Sequence, residues 1–277
     1  MLIRKSNHCI FDILLKLNSY KNLNGLINKI CKISLCVFIH LMYAVYALAN
    51  GNIVVECFVD AKKFLEEEVY FDHRITIYCG ANFDETKRIC LPDGFVTPKY
   101  ERRAERVEWE HMVPAENFGR VFVEWREGGP LCINKNGTRF RGRKCATMSS
   151  QEYRFMEADM YNLYPAIGAV NAIRSNCNFQ ILDQSLPSTF GVCLMKINGN
   201  KVEPPEHVRG IIARTYKYME YAYPKYKMSK QQKKLMDAWD KMYPVDEWEC
   251  TRTKRIEAIQ GNENPFVKNK CIDREFW

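Results

Sequence analysis

The chain has 277 residues, 47% hydrophobic and 27% charged, with 14 glycines and 11 prolines, which excludes a disordered, collagen-like or low-complexity polymer. Its length suffices for one large domain or two modest ones. The net charge of +8 is unevenly spread: residues 1–49 hold six basic residues and one acid, leaving 35 against 32 in residues 50–277, so total charge alone does not argue for a polyanionic partner.

Ile33 to Leu48 is a nearly unbroken apolar run of 16 residues after Lys29 and Lys32, ending in Ala47-Leu48-Ala49. A spanning helix needs ~20 apolar residues, so the run and its small-residue exit read as a secretory signal peptide with an over-long lead-in. Cleavage there predicts a mature domain over 50–277, periplasmic or secreted, with no stable membrane insertion after processing. Twelve cysteines suit an exported chain. Nine lie beyond the leader, none in a CxxC pair, and they read as a disulfide framework. Because nine is odd, the expectation is eight in disulfides and one thiol over, Cys57 or Cys177.

Phe58 to Tyr70 has apolar residues at helical spacing (Ala61, Phe64, Leu65, Val69). Arg74 to Cys79 is a short β-type run ended by Gly80, and residues 84–100 are turn-rich. A basic stripe of Arg102, Arg103 and Arg106 leads into Val107-Glu-Trp-Glu-His-Met-Val-Pro-Ala115, where a β-compatible run delivers Glu110 and His111 side by side before Pro114 stops it. A carboxylate is a hard-metal ligand and a neutral imidazole a general base near pH 7. Adjacent strand residues face opposite sides, so the two share a site only if the strand bends at its end. By itself such a pair more often means a surface carboxylate and a packed histidine.

Lys135 to Cys145 interleaves Lys135, Arg139, Arg141, Arg143 and Lys144 with glycine and Phe140. Arginine's planar fork binds phosphate oxygens in pairs, although a loop kept soluble by charge is an equal reading. Ser150 to Leu163 reads as a helix with Tyr153, Met156, Met160 and Leu163 on one face, and Ile167 to Arg174 as a second one. Pro204-Pro205 precede a helix over Glu206–Tyr221. Ser229 to Gln232 is a capping box opening a helix to Met242, and Asp246 to Ile259 is read as the last helix. The tail from Asn262 is read as extended, with Cys271 close enough in sequence to Cys250 to staple it back.

These residues resemble the bacterial endonuclease I family. The likeness is carried by Val107–Ala115, Gly142-Arg-Lys-Cys-Ala146, Met156-Glu-Ala-Asp-Met-Tyr-Asn-Leu163, Gly168-Ala-Val-Asn-Ala-Ile-Arg-Ser-Asn176, Val202-Glu-Pro-Pro205, Arg209–Tyr216, Ala238–Val245 and Gln260–Val267, in that order. The resemblance implies a mixed α+β, mainly helical, disulfide-stabilised single domain around a ββα-metal (His-Me finger) core. It implies a metal-dependent, sequence-non-specific endonuclease that hydrolyses DNA and RNA to 5′-phosphate products. It carries the general base to His111, phosphate contact to Arg143, a nearby carboxylate to Glu157, and the ligands of one Mg²⁺ (Mn²⁺ or Ca²⁺ as alternatives) to Glu110 and Asn171. With Arg139, Arg141 and Arg174 added as phosphate contacts, the protein would bind nucleic acid as a monomer. Two departures stand out: Ala172-Ile173 where relatives often show Gly-Asp, and Cys79-Gly80-Ala81 where many show Cys-Gly-Cys. An exported nucleic-acid-binding protein without turnover, or a phosphodiesterase of small nucleotides, are the competing readings.

Overall fold

The computed structural model describes residues 50–277; the leader expectations fall on 1–49, outside the described residues. The central feature is a two-stranded antiparallel ribbon of β1 (Val107–His111) and β2 (Leu163–Ile167), with Trp109 opposite Pro165 and His111 opposite Leu163. Proline lacks the N–H that a central strand needs, and here it is tolerated because only one side of β2 is paired in the sheet; its carbonyl accepts from Ile77 N at 2.7 Å. The helical reading of Ser150–Leu163 is therefore corrected. The helix covers Gln151–Glu157, a single 3₁₀ turn covers Met160–Asn162, and Leu163 already belongs to β2. The apolar residues of that stretch are buried as expected, but a core strand and a core helix face bury the same side chains.

Before the ribbon come α1 (Phe58–Phe64), continued by a wider turn over Leu65–Val69, and the short α2 (Glu101–Ala104). The β-type run at 74–79 forms no strand; only the isolated Ile75–Asn82 bridge is made there. Between β1 and β2 lie α3 (Ala115–Gly119), α4 (Val123–Arg126), α5 (Arg143–Ser149) and α6 (Gln151–Glu157). β2 runs straight into α7 (Gly168–Arg174). At Gly168 a Cβ would lie 2.5 Å from the Arg103 carbonyl and 2.9 Å from a Glu108 carboxylate oxygen, so only glycine lets α7 begin this close to β1.

A small three-stranded sheet follows, β3 (Asn178–Phe179), β4 (Lys196–Asn198) and β5 (Lys201–Glu203), with β5 in the middle. The C-terminal part is helical: α8 (Arg209–Ala222), α9 (Lys230–Met242), α10 (Glu247–Gln260) and α11 (Pro265–Asp273). Ser229 caps α9 through Gln232 N, as the sequence predicts. The extended tail is corrected: Asn264 caps Phe266 N and Pro265 starts a further helix, where its missing N–H costs nothing.

Buried arginines tie the C-terminal helices to the ribbon (Arg252) and to one another (Arg214). Arg252 on α10 donates to Tyr70 OH at 2.7 Å and to the carbonyls of Met160 and Leu163 at 2.7 and 2.8 Å, with its guanidinium 3.9 Å from the Tyr164 ring centroid. Arg214 on α8 forks onto Glu249 and reaches the Tyr243 carbonyl. Every donor so spent removes the desolvation cost that an unpaired buried guanidinium would carry.

Among the described residues, three disulfides close the framework: Cys79–Cys193, Cys132–Cys145 and Cys250–Cys271. The last staples α11 to α10, in line with the sequence reading. Eight paired cysteines is corrected to six, because Cys57 and Cys90 are exposed and free, and Cys177 is buried with its thiol 3.6 Å from the Gly199 carbonyl. A sequestered thiol cannot meet the two surface ones, and odd count alone could not reveal that. The described residues thus form one mixed α/β, mainly helical domain. Among them, no helix is long and apolar enough to cross a membrane.

Candidate active site

Strand alternation divides β1 into two chemistries. Trp109 and His111 point to one side, Glu108 and Glu110 to the other. His111, the last residue of the strand, is 8% exposed. Its ring stacks on Phe58 of α1 at 5.1 Å between centroids and tilts against Phe118 of α3 at 5.9 Å. Its Nε2 lies 2.9 Å from the backbone carbonyl of Glu157. A carbonyl can only accept, so Nε2 carries the proton and Nδ1 is left as a bare acceptor. Burial, reinforced by the Arg143 guanidinium, pushes the imidazole pKa down to about 3. The ring is neutral at any pH near 7.

The same Glu157 whose backbone holds His111 uses its side chain to hold Arg143. Arg143 Nε donates to Oε1 at 2.5 Å, Tyr153 OH donates to Oε1 at 3.3 Å, and Thr147 Oγ1 donates to Oε2 at 3.2 Å. Arg143 is the first residue of α5, preceded by Gly142 at φ 85°, a left-handed value that lets the chain swing into the helix there. Its guanidinium sits 5.3 Å from the Phe58 centroid, and the side chain is half exposed. With Nε committed, its two terminal nitrogens have no partner among the described residues. His111, Arg143 and Glu157 therefore form one cluster, with Phe58 as a wall that the sequence reading missed. Only its i+3 spacing from Ala61 on an amphipathic helix was visible, and that spacing signals packing.

On the other face, Glu110 is 1% exposed. Its Oε1 accepts from Tyr78 OH at 2.9 Å and from Arg174 at 2.7 Å. Burial pushes its carboxyl up to about 6, against the pull of Arg174 and Tyr78. Arg174 was expected on the nucleic-acid surface, and this is corrected. It is 1% exposed, its two terminal nitrogens also hold the carbonyls of His111 and Met112 at 2.8 and 2.6 Å, its Nε is buried without a partner, and it lies 4.7 Å over the Phe179 ring. It clamps the exit of β1 and has no surface to offer a phosphate. Asn171, one turn earlier on α7, donates through Nδ2 to Glu108 at 3.0 Å. Glu108 is also held by Arg103 and Arg106. Glu108 was not singled out from sequence, although its position two residues before Glu110 places both on one strand face.

Arg139 and Arg141 are both exposed on the loop closed by Cys132–Cys145, where Arg141 donates to the Arg126 carbonyl at 3.1 Å. A loop of this size loses about 3 kcal/mol of closure entropy on cross-linking, so the disulfide holds the basic loop against the start of α5 and Arg143.

The donor chemistry of the Glu110 face suits a hard cation. Among the described residues, Oε2 of Glu110 and Oδ1 of Asn171 accept no hydrogen bond, and both are oxygen ligands of the kind Mg²⁺ takes while keeping several waters. No group of three or more His, Cys, Asp or Glu that could hold a metal occurs among the described residues. A closed structural site of the zinc kind is thus absent there, whereas a two-ligand oxygen site is compatible.

A buried, tautomer-fixed histidine beside an arginine with free terminal nitrogens is a cluster able to take a proton next to a bound anion, with the acidic residues Glu108 and Glu110 on the other face of the same strand. The endonuclease I family model matches residues 67–271, and the chain belongs to that family. It is 39% identical over 224 residues to an extracellular deoxyribonuclease of Aeromonas hydrophila, covering 78% of this chain and 90% of that one. A periplasmic deoxyribonuclease of the same organism is 41% identical over 211 residues, covering 74% and 82%. Endonuclease-1 of Buchnera aphidicola subsp. Acyrthosiphon pisum is 37% identical over 226 residues, covering 79% and 84%.

Proposed function

We propose that this protein is an exported endonuclease, periplasmic or secreted, which hydrolyses phosphodiester bonds of DNA and RNA without sequence preference and as a monomer. The observation that carries the reading is the His111 Nε2 contact to the Glu157 carbonyl, which leaves Nδ1 as a neutral acceptor in the cluster that holds Arg143. In this mechanism, Nδ1 takes a proton from the attacking water, and the terminal nitrogens of Arg143 hold the phosphate whose negative charge grows as the new bond forms. Glu157 fixes both groups, so acceptor and phosphate clamp are aligned before substrate arrives. Glu110 and Asn171 would hold one Mg²⁺, which when bound supplies Lewis-acid stabilisation at the phosphate and the departing 3′ oxygen. The P–O3′ bond breaks as the water oxygen bonds to phosphorus; the departing oxygen takes a proton from solvent to become a 3′-hydroxyl, the other fragment keeps a 5′-phosphate, and His111 returns its proton to solvent.

Arg139 and Arg141 add sequence-independent phosphate contacts, in keeping with the absence of any evident base-reading element near them. The test is cleavage of supercoiled plasmid and of a structured RNA, with Mg²⁺ and with EDTA, followed by end-group analysis. Loss of cleavage in EDTA and ends that can be dephosphorylated at the 5′ position are expected. Binding without cleavage in Mg²⁺ would instead identify a nucleic-acid-binding protein.

A further inference from the structure

On the Glu110 side of the ribbon lies an open cleft of about 800 Å³ bounded by α3, β3, β5, α8 and the start of α9. Its composition is one-sided. The described residues that line it include three cations (Arg120, Lys201 and Lys227) and five side-chain amides, and none of them is acidic. Arg120 is paired with Glu116. Lys196, Lys217 and Lys225 nearby in sequence each hold an acid, but Lys201 and Lys227 have no ion-pair partner among the described residues.

Two polar atoms here are left unsatisfied. The buried Nε2 of Gln232 has no hydrogen-bond partner, and the hydroxyl of Tyr216, 1% exposed, has none within hydrogen-bond geometry although it faces the Arg174 guanidinium, whose Nε is likewise unpaired. Buried polar groups are nearly always paired, and an orphan costs about 1–3 kcal/mol. A cleft that collects cations and unspent donors, and presents no carboxylate, matches a ligand that only accepts hydrogen bonds and carries negative charge.

A lone inorganic anion does not need 800 Å³ or charges brought in by three separate elements. The rings of Phe179, Tyr216 and Tyr226 are buried and form the floor of the cleft, so what it offers a ligand is the charge of Lys201 and Lys227 and the amide donors, which suits a phosphate backbone more than its bases. The cleft floor packs against the residues that hold the end of β1. Phe179 is the ring beneath Arg174, and Arg174 holds Glu110. We propose that this cleft is a second phosphate subsite, which holds the backbone of the nucleic-acid strand away from the bond that is cut. The assignment rests on the nuclease reading for its ligand, but on this cleft alone for its geometry.

The test uses the mature protein, a Lys201→Ala/Lys227→Ala double variant and Tyr216→Phe. Anisotropy of a fluorescein-labelled 30-nucleotide single strand is measured in EDTA across a KCl series, and cleavage of a four-nucleotide substrate is measured in Mg²⁺. The double variant should bind the 30-mer more weakly, with a salt slope smaller by roughly 1.4, since each single-strand phosphate contact contributes about 0.7. Tyr216→Phe should weaken binding two- to fivefold without changing the slope, and four-nucleotide turnover should stay within twofold in both. An unchanged 30-mer affinity and slope overturns the proposal, as does a change confined to competition by inorganic phosphate or a mononucleotide. Loss of four-nucleotide turnover in the double variant also overturns it, because the cleft would then not be separate from the reacting centre. If the wild-type protein shows the cleft-dependent binding yet cuts nothing, the nuclease reading fails and the subsite stands.

Discussion

Glu157 holds two side chains of the candidate site at once: its backbone carbonyl accepts from His111 Nε2 at 2.9 Å while its carboxylate accepts from Arg143 Nε at 2.5 Å. The two groups come from segments 32 positions apart in numbering, β1 and the start of α5. Their relative placement is set by a single residue at the end of α6.

That coupling separates positioning from chemistry. His111→Ala should lower turnover of the folded protein by ~10²–10⁴, the usual worth of a general base, and leave DNA affinity nearly unchanged, with a modest fall in melting temperature from the lost packing on Phe58 and Phe118. Glu157→Gln keeps the backbone carbonyl and so the histidine tautomer, but weakens the hold on Arg143. It should raise KM more than it lowers kcat. Steady-state kinetics with parallel thermal melts distinguishes these outcomes; a large melting shift in His111→Ala with normal turnover of the folded fraction would show a packing residue instead.

Glu110 behaves differently, because its carboxylate neutralises a buried arginine. Glu110→Ala should cost ~3–5 kcal/mol of stability by leaving Arg174 unpaired, so added Mg²⁺ cannot restore its activity at temperatures where it unfolds. Asn171→Ala removes a side chain tied only to Glu108 at the rim, and its activity should recover partly as Mg²⁺ rises. Chemical denaturation and Mg²⁺ titration of both variants check this. Equal rescue of the two would contradict the burial argument.

Thiol counting tests the disulfide framework. Denatured, unreduced mature protein should show three free thiols, and the native protein two that react fast, Cys57 and Cys90, with Cys177 reacting only on unfolding. A single free group on denaturation would restore the eight-cysteine framework.

Salt dependence tests the basic loop. Arg139→Ala and Arg141→Ala should each weaken DNA binding uniformly across sequences and reduce the salt slope by about 0.9 for duplex. Deep sequencing of fragments should show no sharp consensus in either variant or in the wild type.

Asp159 supplies a pH signature of the core. It accepts from Tyr218 OH and Tyr223 OH at 2.6 Å each, yet burial outweighs these bonds and raises its carboxyl above the ordinary value. The folded state then binds this proton more tightly than the unfolded chain. The contribution to stability is complete below the usual carboxylate pKa and is lost as pH rises through the folded value. Asp159→Asn should remove this component of the slope, so wild type minus variant stability should decline from pH 3.5 upward. Urea titrations at several pH values measure it.

Local chemistry was legible in the linear chain: the capped helix at Ser229, the amphipathic start at Phe58, the arrest at Pro114, the Cys250–Cys271 staple and the motifs that mark the family. Each depends on residues near one another or on the order of short patterns. The tertiary structure decided what such patterns cannot encode. Leu163–Ile167 is a strand because β1 is there to pair with it, although its apolar residues fit a helix equally well. Arg174 looked like a phosphate contact by charge alone; the fold turned it inward because Glu110 and two free carbonyls at the end of β1 needed a donor more than the surface needed a cation. His111 could be named from its motif. Its tautomer depends on a carbonyl 46 residues away, and only the packing of α6 against β1 brings that oxygen to Nε2.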